Sequence, residues 1–182
     1  KRAAGDQTDL PRLLVVGDAS LASMGRSIVA NKDDLAVEAR SRFTEGCSLL
    51  PFGPSRSSLG LVDQPPDQCS PAATWAPALL TAFDPTVVLI AVRVPDDHDF
   101  ELDGGWHAIC DPPFSVWYSA ELGAAIDALG ADGARVAVAL DAGSGPGDRC
   151  IAAAVDTAVA GRATLVEFKT SIPRLVQSAL GP

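Results

Sequence analysis

The side chains best suited to acyl chemistry are a serine in a tight turn and two histidines. Ser20 follows Gly17-Asp18-Ala19 at the end of the apolar run Leu13-Leu14-Val15-Val16. A serine so placed becomes a nucleophile only when an imidazole takes its proton, a carboxylate orients that imidazole, and fixed donors meet the oxyanion. The imidazoles are His98, inside Pro95-Asp96-Asp97-His98-Asp99, and His107, directly after Trp106. Ser20 with His98 or His107 would make a non-standard esterase site. The competing readings are structural. A first-turn serine commonly caps a helix, and that role is expected of Ser20; His98 reads as part of a solvated acidic loop. Asp96, Asp97 and His98 make a poor metal site, because contiguous residues do not all point inward. No metal and no cofactor is expected. Trp75 and Trp117 read as core. Trp106, beside Gly104-Gly105, reads as partly exposed, where its ring would suit a sugar or an acyl chain. The glycine-rich Gly143-Ser144-Gly145-Pro146-Gly147 lacks the Gly-Lys-Ser/Thr ending of a phosphate loop and reads as a turn.

Composition narrows the classes. A chain of 182 residues suits one domain, expected over 1–182 with flexible ends at 1–11 and 181–182. A hydrophobic share of 47% rules out a disordered chain. The net charge of −9 argues against a nucleic-acid partner, which needs a basic surface. No run approaches the ~20 apolar residues of a membrane span. The start at Lys1-Arg2 reads as a cut inside a longer chain. Cys47, Cys69, Cys110 and Cys150 are spaced too widely for a CxxC site. Three pairings are open to them. Cys47–Cys69 with Cys110–Cys150 is favoured, because the first would close a Pro/Ser/Gly-rich segment with little else to hold it. Disulfides imply an oxidising, extracytoplasmic location; free thiols would imply a cytosolic one.

Those side chains must be carried by an alternation of strands and helices. The pattern predicts strands at 13–16, 35–39, 86–92, 135–140 and 164–168. Helices are predicted at 20–30, 73–83, 115–129, 150–160 and 172–180. Stretches 44–71 and 93–113 read as irregular loops. Such an alternation specifies a three-layer α/β/α domain with a five-stranded, mostly parallel, flavodoxin-like sheet. Its functional groups gather at the carboxyl ends of the strands. Gly17-Asp18, Arg93 and the residues after Leu140 fall there, with the two long loops expected to wall one side of the crevice.

Several segments, in order, resemble the SGNH (GDSL-type) hydrolase-like domain fused to membrane-bound acyltransferases of the acyltransferase-3 type. Val15-Val16-Gly17-Asp18-Ala19 with Ser23-Met24-Gly25 is similar to that group's Val-Gly-Asp-Ser followed by Ser-Leu-Gly. Glu45-Gly46-Cys47-Ser48-Leu49-Leu50-Pro51 is similar to its Gly-Cys segment. Cys69, Trp75 and Asp84-Pro85-Thr86-Val87-Val88-Leu89 follow its Cys, Trp and Pro-Asp-Val-Val run, and Asp103-Gly104-Gly105-Trp106 with Asp111-Pro112 resembles a later loop. The likeness spans roughly residues 12 to 168. It implies an SGNH-hydrolase-like fold, a membrane-embedded acyltransferase domain in the same longer chain as partner, tethering outside the cytoplasm, and a polysaccharide or glycolipid acceptor.

The same resemblance implies a catalytic set that this chain lacks. The family's serine is Ala19 here, and its Asp-x-x-His occurs nowhere in the sequence. Ala91-Val92-Arg93 stands where an asparagine donor would follow the third strand, leaving the backbone N–H of Gly46 as oxyanion donor. A Ser→Ala change at position 19 alone would not explain the absent histidine. The expectation is therefore a degenerate pocket formed by Asp18, Ala19, Ser20, Gly46, Arg93, Asp96 and Trp106, in an accessory module without catalysis. Its rivals are an active esterase or O-acyltransferase using Ser20, and a cytosolic flavodoxin-like protein with free thiols.

Overall fold

β5 (Val87–Val92) is buried at all six positions, as a strand covered on both faces must be. It lies at the centre of a parallel sheet in the order β2-β1-β5-β8-β9, with β1 at Arg12–Gly17, β2 at Glu38–Arg42, β8 at Arg135–Leu140 and β9 at Thr164–Glu167. In chain order these five strands run 2-1-3-4-5, and each neighbouring pair is parallel. The computed structural model describes residues 10–94, 98–141, 146–168 and 170–181.

Successive residues of a strand point to opposite faces, and the core divides accordingly. Leu14 and Val16, Val88 and Ile90, and Val136 and Val138 join one cluster. It also takes in α2 (Ala72–Phe83), α3 (Pro112–Leu129) and α4 (Pro146–Val159). Leu13 and Val15, Val87 and Leu89, and the small Ala137 and Ala139 join the other, with α1 (Ala22–Ala30) and α5 (Ile172–Leu180). The result is three layers, α/β/α. Each fully buried Leu, Ile or Val contributes about 1.5–3 kcal/mol relative to exposure.

Three expectations are corrected. The second strand lies at Glu38–Arg42 rather than 35–39. Residues before it form turns in which the Leu35 amide donates to Asn31 O, and Ala36 takes a positive φ of 52° that no strand allows. The stretch 44–71 contains the short strands β3 (Ser55–Ser57) and β4 (Val62–Asp63), and 93–113 contains β6 (His98–Leu102) and β7 (Gly105–Ala108). These four form an antiparallel sheet in the order β4-β3-β6-β7. Ser20 does not cap a helix; it lies within a 3-10 turn, Ala19–Leu21, and α1 begins after it. Of the ends expected to be flexible, 1–9 and 182 lie outside the described residues.

The second sheet docks through aromatic rings. Phe100 of β6 packs on Phe52 at 4.8 Å and on Phe114 of α3 at 5.0 Å between centroids. Phe52 also meets Trp117 at 5.0 Å. Two disulfides staple the same region: Cys47–Cys69 closes the segment carrying β3 and β4, and Cys110–Cys150 joins the start of α3 to α4. Trp75 and Trp117 are half-buried against the core. Among the described residues, no helix is long and apolar enough to cross a membrane.

Candidate functional site

The carboxyl end of β1 is organised by one buried acid. Gly17 ends the strand where a Cβ would stand 2.0 Å from Ala91 O, so only glycine lets β1 and β5 approach there. Asp18 follows, buried at 6% exposure. Its Oδ1 accepts from the Leu49 amide at 2.7 Å and from the Ser48 hydroxyl, and its Oδ2 accepts from the Arg93 amide at 2.5 Å. Burial pushes the Asp18 carboxyl above its usual pKa, while the three hydrogen bonds pull the other way. Tyr118, buried on α3, has its phenol raised well above the usual value by burial and by the negative charge of Asp18. One carboxylate thus ties together the end of β1, the loop after Cys47 and the end of β5.

Ala19 and Ser20 line a polar cavity of about 430 Å³ with Ser23, Arg26, Phe43 and Glu45. The Ala19 amide donates to Cys47 O at 2.9 Å, so it is not available to an oxyanion. Ser20 is exposed, and no imidazole lines its cavity. The ionisable groups that do line it are Arg26 and Glu45. A guanidinium cannot take a proton and a carboxylate is a far weaker base than imidazole. This arrangement can hold a polar molecule.

The remaining expected residues are dispersed. His98 stands on β6 opposite Ser57 of β3. His107 stands on β7 opposite Phe100, with Nδ1 at 3.8 Å from Asp111 Oδ2. Trp106 is half-buried, and the Arg56 guanidinium lies 4.7 Å from its ring centroid, while Arg56 also pairs with Asp99 at 2.7 Å. Arg93 contributes its amide to Asp18, and its side chain reaches Asp141 at 3.6 Å across the ends of β5 and β8. Gly46 is exposed with a φ of 73° and lines a different cavity. Asp96 lies outside the described residues. Among the described residues, no group of His, Cys, Asp or Glu is placed to hold a metal ion.

Sequence reasoning passed over Ser48, Leu49 and Tyr118. Ser48 and Leu49 sit 30 and 31 residues from Asp18, and no local pattern announces a contact at that separation.

No family model matches the chain, and no curated protein matches it. Among solved structures, the crystal structure of TesA is similar to it, with a TM-score of 0.47 and 18% sequence identity over 85% of this chain and 76% of that chain. A likeness of that degree assigns no activity.

Proposed function

We propose that the chain is an SGNH-like module of a cell-envelope membrane acyltransferase, one that performs no acyl transfer itself. It stands outside the cytoplasm, tethered through a membrane-embedded acyltransferase domain of the same longer protein, and holds or presents a polysaccharide or glycolipid acceptor. The observation that carries this reading is the Ala19 turn. Alanine occupies the nucleophile position, its amide is taken by Cys47 O, and the adjacent Ser20 shares its cavity with an arginine and a glutamate instead of a histidine. Losing both serine and histidine removes several orders of magnitude of rate in such enzymes. Two disulfides accord with an oxidising compartment.

Hydrolysis of p-nitrophenyl acetate by the purified, disulfide-bonded protein tests the catalytic part. The expected rate equals that of Ser20→Ala. Sustained turnover that Ser20→Ala abolishes would overturn it. The tether is tested on the full-length natural protein, which is expected to stay with membranes through alkaline carbonate washing; its release into the wash would contradict the proposed anchoring.

A further inference from the structure

A second cavity, of about 490 Å³, is walled by residues of the disulfide-closed segment 47–69 together with Gly46 and Phe100 of β6. Its lining divides by chemistry. Phe52 and the buried Phe100 supply rings, and Pro51, Pro65 and Pro66 supply further apolar surface. The polar side chains of the lining are Ser48, Ser55, Asp63, Gln64 and Asp67. Among the described residues no lysine or arginine lines it.

The hydrogen-bonding sense of this lining is unusual. Ser48 gives its hydroxyl proton to Asp18, so a molecule in the cavity meets only its lone pairs. Asp63 and Asp67, both exposed, accept and do not donate when ionised. Three of the five polar side chains therefore demand a donor, and Ser55 and Gln64 offer either sense. Two carboxylates without a cation also repel an anionic ligand. A ligand that suits the cavity carries many hydroxyl donors on one edge, an apolar C–H face for the rings, and no negative charge. The volume falls within the range of small-molecule sites.

We infer that this cavity, and not the Ala19 turn, is where the module holds its acceptor, and that the acceptor group is an uncharged pyranose of a glycan. The inference rests on the acceptor-binding reading above. Cys69 forms part of the wall and Gly46 adjoins Cys47, so the Cys47–Cys69 bridge holds the cavity open.

Saturation-transfer NMR and titration calorimetry on the disulfide-bonded protein test it, with maltotriose, mannotriose and N-acetylchitotriose as neutral probes and trigalacturonate as the anionic one. At least one neutral trisaccharide is expected to bind, and trigalacturonate is not. Affinity is expected to fall about ten-fold in Phe52→Ala and in Asp63→Asn/Asp67→Asn, the loss of a stacking surface or of two charged acceptors. Arg26→Ala, in the other cavity, is expected to bind as the parent does. Phe52→Ala also opens the aromatic cluster, so the exposed double carboxamide variant carries the test if that protein fails to fold. No binding of any neutral probe, equal binding of trigalacturonate, or binding untouched by the cavity variants would overturn the assignment. Ester turnover by the same preparation would sink the accessory reading and leave a sugar-binding result standing; absent binding without turnover would sink the cavity assignment alone.

Discussion

At the residue scale, Asp18 shows how a buried polar group is kept by its hydrogen bonds. Its carboxylate satisfies three donors from two distant segments. Removing the acceptor in Asp18→Ala strands those donors, at an expected cost of about 2–4 kcal/mol in urea unfolding. Folding raises the Asp18 pKa, so the folded chain holds that proton more tightly than the unfolded chain. The stability of the parent relative to Asp18→Asn is therefore greatest below the ordinary carboxylate pKa and falls as pH rises through the raised value. Urea midpoints of both proteins measured from acid to neutral pH check the sign; a difference that grows with rising pH would refute the burial argument. Ala19 permits a second test. Placing a hydroxyl there in Ala19→Ser is expected to leave p-nitrophenyl acetate hydrolysis at the parent level, because no imidazole lines that cavity. A large gain in rate would show that a base is within reach.

Elements show where the sequence was readable. The continuous apolar runs of β5, β1 and β8 carry their own signal, and their ends move by no more than a residue or so. Leu35 and Val37 draw the expected strand towards apolar residues, whereas β2 begins at Glu38. The observed strand is an edge strand whose residues other than Ala39 are exposed, and it has little hydrophobic signature. The small sheet was hidden for a related reason: its strands are two to five residues long and broken by Pro, Gly and Ser. Only Phe100 is buried on β6, and its partners come from a loop and from α3. The turn around Asp18 was legible as a turn, but its hydrogen-bond partners were not. Two consequences belong at this scale. A Cβ at Gly25 of α1 would stand 2.2 Å from the Phe43 ring, so Gly25→Ala is expected to lose about 1–3 kcal/mol of stability by denaturant titration. Cys47 and Cys69 lie 22 residues apart, and the Cys47→Ser/Cys69→Ser pair is expected to lose about 3 kcal/mol through the freed loop entropy. An unchanged midpoint in either variant would contradict the packing described.

At the scale of the whole molecule, strand order and layer assignment set out a crevice at the carboxyl ends of the sheet, yet the groups for acyl transfer do not converge there. The histidines ride on the small antiparallel sheet, Ser20 lines a polar cavity with Arg26 and Glu45 and without an imidazole, and the aromatic surface gathers beside a disulfide-closed loop. The central claim, proposed above, is that no serine of this turn acts as a nucleophile. Incubation of the natural, oxidised protein with a fluorophosphonate, followed by intact-mass measurement and peptide mapping, tests it most directly. The account predicts an unchanged mass at every serine. A stoichiometric adduct on Ser20 that forms before denaturation would contradict it.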